Sequence, residues 1–352
     1  MDAATTVDST SGVTVQETIV RAENVDIEEA IEKAGNPVVC DDETIKYYKD
    51  AEKAAKNTQA TVDGTAYETL AAAIAAAGDK TVVLADNITL TETVAIETPV
   101  TIDLNTKTVT GADGAVVFEV KADTTITNGT IKGNKSGTSS GLIDIYANLE
   151  MNGVTVETSK INALRFKAGD CTATLTDCNV TGAFKGYGGS VFNIVSGTYK
   201  ASSTAISDQL NGVAVSGGTF HYEIDETDCA NGYVTVDNGD GTYGVKYAPT
   251  LFVDANNNGV LDEGETIYGN LDQLFANHKD GDVYVVLTAD TVANGQVDTD
   301  ADAHYYFSTN VAGGVTMDFL FAEDWNYIQK ATIGENITLN APYLLAWTEL
   351  DI

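Results

Sequence analysis

Between Thr81 and Phe220 apolar and polar residues alternate in short runs, as in Val100-Thr-Ile102-Asp-Leu104, Leu149-Glu-Met151 and Phe192-Asn-Ile194. Alternation of this kind buries one face of a strand and leaves the other to solvent. The runs are punctuated at Asn87, Asn105, Asn128, Asn152, Asn179, Ser196 and Ser216, at successive spacings of 18, 23, 24, 27, 17 and 20 residues. A meander or sandwich needs a turn about every 8 to 12 residues. A repeat of about 20 instead fits one rung of a parallel β-helix, in which each rung stacks on the last over a shared core. The unequal rung lengths predict the right-handed form with variable loops.

The ends of such a stack expose core and strand edge, so capping elements are expected. Tyr67-Glu-Thr69-Leu70 leading into the Ala-rich run to Ala77 predicts a cap helix with Thr69 as N-cap and Gly78 as terminator. Leu70 and Ile74, four apart, would face the first rung. The same opening returns: Tyr268, Asn270, Leu271 and Phe275 each lie 201 residues after Tyr67, Thr69, Leu70 and Ile74. Val285-Val286-Leu287 likewise repeats Val82-Val83-Leu84. A second, shorter solenoid module follows from this echo, with Val315 to Phe321 and Ile337 to Trp347 as its candidate rungs. Asp240-Gly241, between Val234-Thr-Val236 and Tyr243-Gly-Val245, predicts a hairpin that covers the last rung of the first module.

Residues 1–60 carry a different pattern, and we expect a small α/β segment there. Val13 to Val20 is a candidate strand, Asp26 to Lys33 and Glu43 to Ala55 are candidate helices, and Asp42 would cap the second. The expected fold class is thus mainly β, a right-handed parallel β-helix (solenoid) with a helical cap, a small N-terminal α/β segment and a second short solenoid module. The expected domains are 1–60, 61–248 and 249–352.

The segments YETLAAAIAAAGDKTVVLADNITL, VTIDLNTKTVTG, SGGTF and CANGYVTVDNGDGTYGV resemble the β-helix repeat modules of large secreted or wall-attached, adhesin-like proteins of anaerobic gut Firmicutes. The resemblance runs from Ala60 to Val245 and, less closely, from Leu251 to Val297; it does not reach the first 59 residues. It implies a secreted or cell-surface bacterial protein with a structural or adhesive role. No wall-sorting signal or surface-layer repeat accompanies it, so a fragment, or a subunit held in some other way, is expected.

Charge narrows the choice of partners. Lys+Arg 19 against Asp+Glu 52 gives a formal charge of −33, which repels nucleic acid and anionic lipid and attracts divalent cations. No apolar run approaches the roughly 20 residues of a membrane span, so no membrane insertion is expected. The opening Met1-Asp2-Ala3-Ala4 is not a leader; either the chain is cytosolic or a signal peptide has been removed, and the resemblance favours the second. Cys40, Cys171, Cys178 and Cys229 show no zinc spacing. They read as small buried hydrophobes, with a Cys40 to Cys229 bridge as the open alternative. On one unbroken strand Cys171 and Cys178, seven apart, would point to opposite faces.

The strongest chemical motif is Asp254-Ala-Asn256-Asn-Asn258-Gly259-Val260-Leu-Asp262-Glu-Gly-Glu265. Counting Asp254 as position 1, oxygen donors fall at positions 1, 3, 5, 9 and 12, glycine at 6, and the Val260 carbonyl at 7. Hard oxygen donors in a flexible ring of this size select calcium (Ca2+), with Glu265 as its bidentate ligand. The loop replaces the short Val62-Asp63-Gly64 turn of the first module and is expected at the junction between modules. Two Asn in place of Asp lower its charge and its affinity. Asp298, Asp300 and Asp302 lack the glycine and the acidic last position, and read as a solvated turn.

Pectate-lyase-like lyases and glycoside hydrolases also use β-helices, and they need carboxylates on adjacent rungs with a partner base or acid. Asp144 and Arg165, 21 apart, would be outward neighbours on successive rungs, and a cross-rung ion pair explains them. His221, His278 and His304 fall outside the regular rungs. Tyr146, Tyr187, Tyr199 and Tyr222 are candidates for stacking on sugar, against interior packing. A non-enzymatic structural or adhesin-like protein is therefore expected, and a polysaccharide lyase or hydrolase is the alternative. A host or cell-surface glycan or protein is the expected ligand. Leu344-Leu-Ala-Trp347-Thr-Glu-Leu-Asp-Ile352 is strand-like without a closing hairpin. End-to-end association, with further modules or with copies of the chain, is expected from it, Val13 to Val20 supplying a pairing strand.

Overall fold

The computed structural model describes residues 5–7, 13–15, 35–41, 45–48, 50–134, 139–200, 212–299, 302–321, 326–341 and 345–352. The fold is mainly β, with parallel strands stacked as a solenoid of about 11 turns. Two compact units contain these turns, Met1–Gly212 and Val213–Ile352, so the expected boundary at 248/249 falls inside the second unit.

In the first unit three ladders of parallel strands enclose the core. One runs through Val82, Ile102, Ile126, Met151, Leu175 and Ile194. A second runs through Ile88, Val109, Ile131, Val156, Val180 and Tyr199. The third runs through Ile96, Val120, Ile145 and Phe166. Apart from the marginally accessible Ile88, these side chains are almost wholly buried. Polar residues alternate with them along most of these strands and keep the outer faces wet, with Val83, Ala95 and the buried Asp144 among the exceptions.

Left-handed residues turn the chain between the first two ladders: Asn105 at φ 49, Asn128 at 56, Gly153 at 65 and Asp177 at 51. Asn and Asp tolerate this region because their short side chains bond locally. Asn179 is therefore not a corner but an outward strand position, opposite Thr155 and Thr198. Asp177 also explains the cysteines. It breaks the alternation between Cys171 and Cys178, and both are buried instead of facing opposite ways. None of the four cysteines forms a disulfide, and burial pushes the Cys178 thiol up to about 11, so the sulfurs act as core side chains.

The cap forms as the sequence predicts. Helix Leu70–Ala77 starts at Thr69, whose hydroxyl accepts the Ala72 N–H at 3.2 Å, and it buries Leu70, Ala73, Ile74 and Ala77. It is preceded by a tight hairpin, Ala60–Val62 with Thr65–Tyr67, whose first strand runs antiparallel to the opening rung Thr81–Leu84.

Before the cap the structure differs from expectation. Ile45–Tyr48 is a strand, antiparallel to Asn36–Val39, and only Ala51–Lys56 is helical, capped by Asp50. Tyr47 and Tyr48 are buried aromatic residues in a β pairing, which outweighs the Glu and Lys propensity around them. Of the candidate strand Val13 to Val20, Val13–Val15 is strand and pairs parallel with Ile45–Tyr48. Asp42 and the candidate helix Asp26 to Lys33 lie outside the described residues.

The second unit repeats the opening. Asn270 caps helix Leu271–Asn277 by accepting the Gln273 N–H at 3.0 Å, and strand Leu251–Val253 runs antiparallel to Gly281–Leu287. Four parallel strands form one ladder, Gly281–Leu287, Ala303–Thr309, Asn326–Ile333 and Leu345–Asp351. Thr291–Ala293, Val315–Phe319 and Ile337–Asn340 form another. Ala303–Thr309 and Asn326–Ile333 were not among the expected rungs; in the first, aromatic residues occupy both faces, so apolar and polar positions do not alternate. His304 accordingly lies on a rung, opposite Asp282 and Lys330. The hairpin of Tyr233–Asp237 with Tyr243–Tyr247 forms as expected. It is tied to the cap helix, where Gln273 Nε2 donates to the Tyr233 carbonyl and Asn270 Nδ2 donates to Glu226 Oε2 at 2.9 Å.

Asp228 sits beside this hairpin, and burial, reinforced by Asp225, raises its carboxyl to about 6. A carboxyl raised on folding favours the native state while it is protonated. Its contribution is fully present below the ordinary carboxylate range and is lost as pH rises through about 6. Asp228→Asn is therefore expected to stabilise the chain by roughly 1–3 kcal/mol at pH 7 and to flatten the fall in stability between about pH 4 and 6. Urea midpoints at pH 4.5 and 7.5 measure both effects; equal midpoint differences at the two pH values would show that Asp228 does not titrate with folding.

Candidate metal centre

Strands Leu251–Val253 and Thr266–Tyr268 pair antiparallel with Val253 opposite Thr266, which leaves residues 254–265 as a twelve-residue loop at the tip of the hairpin. The first unit makes the corresponding turn with Asp63 and Gly64 alone, both at positive φ. The insertion expected from the sequence is thus a hairpin-tip loop, with neither flank helical.

All six expected donor positions are present in this loop. Asp254 is the anchor, 1% exposed, and its N–H donates to the Tyr284 carbonyl at 2.9 Å. Its Oδ1 accepts the Asn258 N–H at 3.1 Å and its Oδ2 the Gly259 N–H at 2.6 Å. The chain bends back over the carboxylate through Asn257 at φ 55 and Gly259 at φ 78, the sharp turn that glycine at the sixth position permits. Asn256 Oδ1 accepts the Asn258 N–H at 3.1 Å, and Asn258 Oδ1 accepts the Val260 N–H at 2.7 Å. The carboxamides of Asn256 and Asn258 both donate to Asp262 Oδ2, each at 2.7 Å. Glu265 closes the ring: Oε1 accepts the Ala255 N–H and Oε2 the Asp262 N–H, both at 2.9 Å.

The donors thus fit calcium by type, order and placement around one turn, and two of them already converge on a third. They are not drawn together as a carboxylate cage. Among the described residues no group of three or more His, Cys, Asp or Glu side chains stands ready for a metal. Asp254, Asp262 and Glu265 are separated by carboxamides, and the Glu265 oxygens face backbone N–H groups. Two amide donors on one Asp262 oxygen supply the positive partner that a cation would supply. Rotating each carboxamide by half a turn would exchange its NH2 for its oxygen.

One contact from outside the loop was not legible in the sequence. Asn310 Nδ2 donates to the Gly259 carbonyl across 51 residues of chain. Val260 and Leu261 at the tip are 60% and 51% exposed, so the Val260 carbonyl lies on an open part of the loop.

Asp144 and Arg165 are direct neighbours on adjacent rungs, as their spacing implies. They are not an ion pair on the outer face. Asp144 is only 2% exposed; its Oδ1 accepts the Gly141 N–H at 2.7 Å and its Oδ2 lies 3.5 Å from Lys167 Nζ. The chain folds back at Gly141, where an added Cβ would stand 2.9 Å from the Arg165 backbone nitrogen, and so shields the carboxylate. Arg165 Nε is buried and has no hydrogen-bond partner among the described residues. Of the four tyrosines considered for sugar stacking, Tyr199 is buried in the core and Tyr187 is 55% exposed.

The first unit also carries a groove of about 900 Å³ that crosses successive rungs. Thr101, Thr125, Glu150 and Thr174 succeed one another along it in register. Asp123 and Asn148 flank them, and among the described residues no Lys or Arg lines the groove. Among the described residues no helix is long and apolar enough to cross a membrane. No family model, curated protein or solved structure matches the chain.

Proposed function

We propose that this chain is a non-enzymatic, adhesin-like structural protein of the bacterial cell surface or extracellular space, stabilised by calcium at Asp254, Asn256, Asn258, the Val260 carbonyl, Asp262 and Glu265. The observation that carries the calcium assignment is the hairpin-tip loop itself. Its donors occupy every position of a calcium loop, around an Asp254 that is buried and bonded to two backbone N–H groups. Bound calcium would neutralise the loop carboxylates Asp254, Asp262 and Glu265, in a chain whose overall formal charge of −33 favours divalent cations.

The adhesive role rests on the stacked outer faces and on the resemblance of the repeats. The groove along Thr101, Thr125, Glu150 and Thr174 offers hydroxyl and carboxylate partners at the strand spacing of about 4.8 Å. It carries acid without base, which suits an uncharged glycan chain and disfavours a polyuronate. Association end to end through the last strand, Leu345–Asp351, belongs to the same proposal.

Binding and turnover on a panel of neutral and uronate polysaccharides test it. The proposal expects binding without product release, and weaker binding of uronates. Product formation that is lost in Arg165→Ala would instead assign a lyase or hydrolase to the rung of Asp144 and Arg165.

A further inference from the structure

We infer that Asn310 is a positioning residue of the calcium loop, fixing the Gly259 peptide from a solenoid rung and so coupling ion binding to the stability of that rung. The inference rests on the calcium reading of residues 254–265.

The loop touches the rest of the second unit through backbone and side-chain bonds of two kinds. At its base the Asp254 N–H is held by the Tyr284 carbonyl at 2.9 Å, which fixes where the loop begins. At its turn the Gly259 carbonyl is held by Asn310 Nδ2. A Cβ placed on Gly259 would lie 3.6 Å from that nitrogen, an ordinary contact distance, so the carboxamide lies against the turn.

The backbone on either side of the exposed Asn310 is anchored. It follows strand Ala303–Thr309, which is paired on both sides, to Gly281–Leu287 and to Asn326–Ile333. Thr309 pins the chain on either side of it: its hydroxyl donates to the Leu287 carbonyl at 2.9 Å and accepts the Val311 N–H at 3.1 Å.

The peptide between Gly259 and Val260 is thereby held at both ends. Its oxygen is bonded to Asn310, and its N–H donates to Asn258 Oδ1 at 2.7 Å. The next carbonyl along the chain is that of Val260, the backbone ligand at position 7. Val260 is 60% exposed, so the orientation of its carbonyl depends chiefly on the peptide before it. Removing Asn310 leaves only Asn258 to hold that peptide, and Asn258 must itself turn its oxygen to the ion. Ordering a freed peptide costs backbone conformational entropy, a cost that binding would then bear. Loss of an outer-shell partner typically costs 10–100-fold in metal affinity.

Equilibrium dialysis of the full chain against calcium chloride, with the wild type, Asn310→Ala and Asn310→Gln, tests the inference. Thermal melts in EGTA and in calcium accompany it. The expected result is a calcium affinity about tenfold weaker in Asn310→Ala and partly restored in Asn310→Gln, which keeps the donor. The melting temperature in EGTA is expected to stay close to wild type, with a smaller gain on adding calcium. Equal calcium affinity in Asn310→Ala and wild type would overturn the positioning role while leaving the calcium site standing. So would an equal fall in melting temperature with and without the ion, which marks a purely structural residue. Absence of calcium binding by the wild type would overturn the site, and the inference with it.

Discussion

Replacing Phe192 by Ala is expected to destabilise the first unit by about 3–5 kcal/mol, the usual range for truncating a buried aromatic ring. Phe192 is fully buried, and its ring lies 4.3 Å from that of Phe166 and 5.1 Å from that of Phe184. Its partner on the preceding rung is Ala173, which has no side chain long enough to fill the space left behind. The cavity therefore persists, and the loss combines transfer energy with unrecovered contacts. In a stacked fold each rung supports the next, so the damage spreads to the neighbouring rungs through the interface terms. Urea denaturation followed by far-ultraviolet circular dichroism reads the effect as a lower midpoint at an unchanged slope. A loss below about 1 kcal/mol, the level of an ordinary surface change, would show that the ring stack is not the core of these rungs.

The second large effect is that of calcium on stability. An ion that binds the folded loop and not the unfolded chain stabilises by about 2.7 kcal/mol when its concentration is 100 times the dissociation constant. Loops of this kind in extracellular modules bind at roughly 10⁻⁴ to 10⁻³ M, so about 10 mM calcium reaches that level only at the tighter end of the range. The gain corresponds to several degrees in melting temperature for a unit of this size. Glu265→Ala is expected to abolish the gain by removing the bidentate ligand. Because Glu265 also accepts the Ala255 and Asp262 N–H groups, the variant starts from a lower baseline, and the melt in EGTA separates that loss from the loss of binding. Magnesium at the same concentration is expected to give a smaller gain, since it demands a tighter octahedral site than this loop provides.

Much of the architecture was legible in the sequence for a physical reason: rungs, caps and turns are local. The alternation of Ile102, Ile126 and Met151 with polar neighbours marks strand faces. Thr69 and Asn270, 201 residues apart, are both helix N-caps because Thr and Asn offer the same side-chain acceptor to a free N–H. The calcium-type loop was visible for the same reason, since all its donors lie within one turn of chain.

What was missed depends on contacts distant in sequence. Asn310 could not be assigned to Gly259 from 51 residues away. Asp144 was expected on the outer face from strand parity, but parity does not reveal that the chain folds back over it at Gly141. The Glu, Lys and Ala around Ile45–Tyr48 favour a helix, and tertiary pairing with Asn36–Val39 makes it a strand. The rung Ala303–Thr309 is hidden because its outward residues His304 and Tyr306 are aromatic like the buried Tyr305 and Phe307, which blurs the apolar–polar alternation.

Calorimetric titration of calcium into the intact chain, with Glu265→Ala alongside, tests the central claim most directly. The account predicts one saturable site on the wild type, of sub-millimolar to millimolar affinity, that is lost in the variant. Heats that match the buffer dilution for both proteins, at calcium concentrations up to about 10 mM, would contradict it and leave residues 254–265 as a hydrogen-bonded turn.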